Sequence, residues 1–196
     1  TLMLVTDPGL VKAGVLKQTL EMLTGSGAKF EVYDGVHPNP IEEDVEKGAE
    51  FYRKQECDGL LALGGGSAMD VAKVIRFFVS HPAPLTQYSV LENGAAKIKD
   101  TLPAMYAVPT TAGTGSEVGR GAVITLRDTG RKTLFVAPPL MPTITVLEPT
   151  LTAGLPPHLT AATGIDAFTH CLESYLAPVY HPMADGVALE GIRLCL

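Results

Sequence analysis

The sequence has too few cysteines, too little clustered positive charge and too few long apolar runs for several classes of protein. Its three cysteines, Cys57, Cys171 and Cys195, lie far apart with no C-x-x-C pair. That excludes a disulfide framework and a thiolate zinc site and fits a reducing cytoplasm. Lys and Arg number 15 against 21 Asp and Glu, a net charge of −6, and no stretch gathers the cations into a basic stripe; no nucleic-acid partner is expected. The longest apolar runs, such as Leu60–Leu63 and Tyr106–Val108, are strand-sized, well short of the roughly 20 residues that span a bilayer. No membrane partner is expected, and Thr1–Thr6 lacks the basic start and cleavage site of a signal peptide. A nucleophile elbow G-x-S-x-G is also missing, which disfavours hydrolase chemistry.

What is present is a chain that is 46% hydrophobic and only 18% charged, enough over 196 residues for one domain and part of another. It opens on an apolar strand and stops within a helical pattern, and is expected to be a segment of something longer. Apolar strand candidates at Leu2–Thr6, Lys29–Tyr33, Gly59–Leu63 and Ala104–Val108 alternate with helical patterns. One helix is expected over Val11–Leu23, one on Ile41, Val45, Ala49 and Tyr52, and one on Val71, Val74, Ile75 and Phe78. Such β/α alternation predicts an α/β, Rossmann-like, mostly parallel sheet with helices on both faces. Ala122–Leu126, Thr133–Val136 and Ile144–Leu147 read as consecutive strands of an antiparallel or mixed section. After Leu155-Pro156-Pro157 only helices remain, at Leu159–Leu176 and Pro182–Leu196. This places residues 1–155 in an α/β domain and 156–196 at the start of an all-helical one.

Gly64-Gly65-Gly66-Ser67 lies where a buried strand meets a helix, so bare backbone N–H groups and a helix N-terminus converge, as a phosphate requires. Thr110-Thr111-Ala112-Gly113-Thr114-Gly115-Ser116 repeats the logic with hydroxyls after the next strand. Two such turns at one end of a parallel sheet face a common crevice, and a dinucleotide is the leading ligand. The G-x-G-x-x-G fingerprint itself is absent, and the spacing of Gly113, Gly115 and Gly119 is an accidental likeness. Asp7 and Asp34 both end strands; either can reach an adenosine ribose or merely cap a turn.

Asp166 and His170 stand four apart on one face of the helix around Gly164–His170, spacing that lets both coordinate one cation or simply hydrogen-bond to each other. The helix is otherwise apolar and small, so a buried Asp there is expected to need a compensating charge. His37 and His81 fall in turns and His158 and His181 at proline-marked helix ends, so further ligands are expected beyond Leu196.

Gly64–Asp70, Pro109–Glu117 and Ala161–His170, in that order and behind Val5-Thr6-Asp7 and Tyr33-Asp34-Gly35-Val36, resemble the iron-containing, or group III, alcohol dehydrogenases, and within them the lactaldehyde reductases and propanediol dehydrogenases. The resemblance implies an NAD-dependent oxidoreductase acting on a small alcohol or aldehyde, assembled from identical chains. It assigns the adenosine ribose to Asp7 and the nucleotide cleft to Asn39. The pyrophosphate region falls to Gly65, Gly66, Ser67 and Asp70, and the approach to the nicotinamide to Thr110, Thr111, Thr114, Val123 and Lys132. Asp166 and His170 are implied as the first two of four ligands to Fe²⁺, or Zn²⁺ in its place. Gly119-Arg120-Gly121 departs from the bulkier or hydroxyl side chains of relatives and leaves the substrate region open. Alternatives are a glycerol-dehydrogenase-like or dehydroquinate-synthase-like enzyme of the same fold, or a nucleotide-binding segment without catalysis.

Overall fold

Apolar runs without polar alternation require strands covered on both faces, and the central strands have that burial. The computed structural model describes residues 1–196 and resolves two compact units, Thr1–Pro109 with Ser116–Glu148, and Thr110–Gly115 with Pro149–Leu196. In the first unit the elements run β1 (Leu2–Val5), α1 (Pro8–Lys12), α2 (Val15–Leu23), β2 (Phe30–Tyr33), α3 (Glu42–Lys54), β3 (Gly59–Gly64), α4 (Gly66–Phe78) and β4 (Ala104–Pro109). They continue as β5 (Gly121–Thr125), β6 (Lys132–Val136) and β7 (Ile144–Thr145). The main sheet has the order β2-β1-β3-β4-β7, parallel throughout. Every residue of β3 is buried.

Parallel crossovers are right-handed. The chain moves outward from β1 to β2 and then back past β1 to β3, so α1 and α2 cover one face and α3 and α4 the other. On the latter face Met3, Val5, Leu60, Ala62, Met105 and Ala107 meet Val45, Ala49, Met69, Ala72 and Ile75 in one buried cluster. At roughly 2 kcal/mol for each large side chain removed from water, a one-residue slip of any strand would turn this set outward, so the packing fixes the register.

Two local differences from the sequence pattern have clear causes. The single helix expected over Val11–Leu23 is two helices, because Gly14 adopts φ 79°, a left-handed turn that glycine accepts without strain. The three strands expected after Ala122 also part company. β5 and β6 form an antiparallel hairpin, whereas β7 joins the main sheet beside β4 in parallel. Arg76 of α4 explains the second: its guanidinium donates to the carbonyls of Pro103, Pro139 and Met141 and to Thr143 Oγ1. The Pro138–Met141 connection, poor in N–H groups of its own, is thereby drawn to the edge of β4. The hairpin is tied separately, by Thr125 N–H to Pro40 O at 2.8 Å and by Arg127 to Glu43 and Glu46, each at 2.6 Å.

The second unit holds α5 (Pro157–Leu176) and α6 (Pro182–Cys195). The two pack closely where Cys171 Sγ occupies the place a side chain at Gly191 would take. Ile165, Leu176, Val179, Tyr180, Met183 and Val187 stay exposed. No helix is long and apolar enough to cross a membrane.

Arg76→Met keeps the length and apolar stem but strands the carbonyls of Pro103, Pro139 and Met141. It is expected to lower stability by about 3 kcal/mol or more, measured by urea denaturation; a loss under about 1 kcal/mol would show that the connection stands without its cation.

Candidate functional site

Strand order reverses between β1 and β3, and open α/β sheets bind ligands outside the C-terminal ends of the strands at such a reversal. Asp7 follows β1 there and Gly64 closes β3, two residues beyond the Val5–Ala62 pair. A Cβ at Gly64 would lie 2.6 Å from Ala68 Cβ and 3.7 Å from Asp7 Oδ2, so glycine is what lets the turn into α4 pass this close. Gly65 is the N-cap of α4 and no side chain caps that end, which leaves the first N–H groups of the helix open to an anion. Asp7 uses one oxygen only: Oδ1 accepts from Gly9 N–H at 2.8 Å and Leu10 N–H at 3.1 Å, capping α1. The cap leaves Oδ2 spare beside the glycine turn. Asp34 follows β2, the edge strand, one strand further from the reversal.

The turn that carries Asn39 is held from two sides. Asp44, 2% exposed in the first turn of α3, accepts His37 N–H at 3.1 Å and Ile41 N–H at 3.2 Å and pairs with His37 Nδ1 at 2.7 Å. Tyr33 donates its hydroxyl to the Asp44 carbonyl at 2.8 Å; burial first, then the charges of Asp44 and Asp34, push this phenol up to about 12. From the other side Ser67 Oγ–H donates to Pro38 O at 2.7 Å, which fastens the turn to the glycine loop. Asn39 itself is exposed.

Asp70, one turn further along α4, faces inward. Its carboxylate accepts Ser116 Oγ–H at 2.7 Å and Val123 N–H at 2.9 Å. Burial pushes this acid up, against the lowering effect of those two donors and of Lys73. The Lys73 ammonium is fully buried and donates to Ser116 O (2.6 Å), Ser116 Oγ (2.8 Å), Gly119 O (2.9 Å) and Gly121 O (2.8 Å). Burial draws it down to about 8, opposed by the charges of Asp70 and Glu117. Val123 and Lys132 share the outer face of the hairpin: Val123 pairs with Leu134 and Thr125 with Lys132, which makes the two diagonal neighbours.

In the second unit Thr110 is buried, and the Thr111 hydroxyl is buried without a hydrogen bond. Gly113 of the same segment lies against Thr163 of α5. Asp166 Oδ2 and His170 Nε2 are 3.6 Å apart on adjacent turns, close enough to share one cation. In this chain their side chains are 45% and 57% exposed, and α5 contributes no fully buried residue. No group of three metal-ligating side chains forms. A groove of about 430 Å³ between α5 and α6 is lined by His170, Ser174, His181 and Met183. Three of the other four histidines have structural partners, His37 through Asp44 as above. His81 is buried between Phe77 O and Lys99 N–H, and His181 caps α6 through Ala184 N–H.

Asp44, Lys73 and the role of Ser116 were not legible as site features in the sequence. The available signal was Lys73 itself, an ammonium in the run Val71-Ala72-Lys73-Val74-Ile75 with no exposed face to explain it. Asp44→Ala should cost about 2 kcal/mol, the upper end for loss of a helix-start acceptor, and speed hydrogen exchange at residues 37–41. Unchanged exchange there would mean that Ser67 alone secures the turn.

The chain has clear relatives among known proteins. The chain is 49% identical to the 4-hydroxybutyrate dehydrogenase of Cupriavidus necator over 97% of its own length and 49% of that relative. It superposes on the crystal structure of 1,3-propanediol oxidoreductase with a TM-score of 0.91 at 39% identity, covering 98% of this chain and 50% of that one. The sulfoacetaldehyde reductase from Bifidobacterium kashiwanohense, solved in complex with NAD+, matches with a TM-score of 0.88 at 31% identity, again over 98% and 50%. The chain thus spans about half the length of the relatives it matches. Since the iron-containing alcohol dehydrogenase family model also matches residues 1–149, glycine turn and hairpin included, the chain belongs to that family.

Proposed function

We propose that residues 1–155 are the nucleotide-binding part, and 156–196 the start of the metal-binding part, of an NAD-dependent oxidoreductase that interconverts a small alcohol and its aldehyde with the help of iron, or zinc in its place. The observation that carries this reading is the uncapped N-terminus of α4 beside the spare oxygen of Asp7, where strand order reverses. When bound, the dinucleotide supplies a hydride carrier and the metal a Lewis acid for the substrate oxygen.

The chain's own residues divide the work of binding. Asp7 Oδ2 would accept the adenosine ribose hydroxyls and, through its charge, disfavour a 2′-phosphate. The N–H groups of Gly66, Ser67 and Ala68 would pair with pyrophosphate oxygens, beside Gly65 and with Asn39 at the rim. Asp70 would hold Val123 in place for the nicotinamide end, with Lys132 as its cationic neighbour. Thr110, Thr111 and Thr114 would contribute hydroxyls; the buried, unpaired hydroxyl of Thr111 supports a ligand partner there. Asp166 and His170 offer a carboxylate oxygen and an imidazole nitrogen, a donor pair suited to a divalent first-row metal. The three free cysteines support a reducing, cytoplasmic setting.

Two substitutions in the full-length protein test the reading. Asp7→Gly should shift the NAD over NADP preference toward NADP by roughly tenfold or more, the worth of one close like-charge contact removed; an unaltered preference would remove Asp7 from the ribose. Asp166→Asn should strip bound metal, measured by elemental analysis, and abolish turnover while NADH binding persists. Full metal content in that variant would sink the proposed half-site.

A further inference from the structure

Retaining a charge inside a protein is costly, and a hydrophobic isostere in the same place is often neutral or stabilising. Lys73 is therefore unexpected as mere packing: its Nζ is fully buried, and no carboxylate lies among its hydrogen-bond partners. What it does is gather the carbonyls of Ser116, Gly119 and Gly121 around a single point. These dipoles point their negative ends at one another, and without a cation they would repel and turn out to water. The segment between them contains only a short 3-10 turn at Ser116–Val118, so it has little regular structure to hold that shape unaided.

The consequence reaches Asp70. Ser116 Oγ accepts from Lys73 and donates its hydroxyl hydrogen bond to Asp70 Oδ1, while Asp70 Oδ2 accepts Val123 N–H. One ammonium thus sets both the loop before β5 and the carboxylate that registers β5. We propose that Lys73 is a positioning residue of the nucleotide site: it fixes residues 116–123 and, through Ser116, the Asp70 carboxylate in the geometry the nicotinamide end of the dinucleotide requires. This rests on the dinucleotide reading given above. Arginine is no substitute, since a planar fork cannot address acceptors arranged around a compact ammonium.

The test uses the full-length enzyme. Lys73→Met should raise KM for NAD on the order of 10- to 100-fold, the size of effect a displaced binding element produces, with a smaller change in kcat. Hydrogen exchange should quicken at residues 116–123 while β1 and α3 keep their protection. Should that variant fail to fold, Ser116→Ala decides, because it keeps the ammonium and its three carbonyl partners and removes only the hydroxyl that links Lys73 to Asp70: a severalfold rise in KM for NAD with faster exchange at Val123 supports the proposal. A Lys73→Met or Ser116→Ala enzyme that is less stable overall but keeps its KM for NAD and its exchange at 116–123 overturns it. A wild-type enzyme that does not bind NADH, followed by fluorescence, would instead sink the dinucleotide reading, and the exchange comparison would still decide the claim about Lys73.

Discussion

A buried ammonium surrounded by main-chain oxygens is the constraint on which the functional end of this sheet depends. The apolar face of α4 packs on β1, β3 and β4 through Met69, Ala72 and Ile75, which positions the helix but says nothing about the loops beyond the strands. Those loops are placed by polar side chains at successive positions of one i, i+3 row. Ser67 takes the Pro38 carbonyl, Asp70 takes Ser116 and Val123, Lys73 takes Ser116, Gly119 and Gly121, and Arg76 takes Pro103, Pro139, Met141 and Thr143. Each cation on this row is matched to carbonyl dipoles rather than to a carboxylate, so neither is a simple ion pair.

That arrangement joins stability to function in one element. The N-terminus of α4 is left without a side-chain cap, which forgoes roughly 1 kcal/mol of helix stability but keeps its N–H groups available. The rest of the helix is over-determined by core packing and by its loop contacts, so the open end stays in place. Asp44 performs the corresponding task for the turn at Pro38–Pro40, and its burial explains why that turn can be short and still present Asn39 in a defined position.

Legibility in the sequence followed the kind of interaction involved. Strands whose burial is complete or nearly so, such as β3 and β1, were readable because apolar runs have few other fates. The glycine turn was readable because backbone approach demands glycine whatever surrounds it. Gly14 was missed as a helix break because glycine is tolerated inside helices often enough to hide. β7 was read with β5 and β6 as an antiparallel or mixed section, and its parallel seat beside β4 was not legible because the connection leading to it is held by Arg76, far away in sequence. Asp166 was expected in a dry setting from the apolar residues around it; in this chain, which spans about half the length of its relatives, it is half exposed.

The chain alone therefore determined the β/α alternation, the family motifs and the two candidate ends of the site, since these rest on periodicity and on residues whose local geometry has no substitute. Tertiary structure decided which strand pairs with which, that Asp7 can cap α1 with one oxygen and keep the other spare, and that Lys73 gathers three distant carbonyls. The Lys73 contacts depend on groups more than 40 residues apart meeting where water is excluded, and nothing in local sequence spacing records a meeting of that kind.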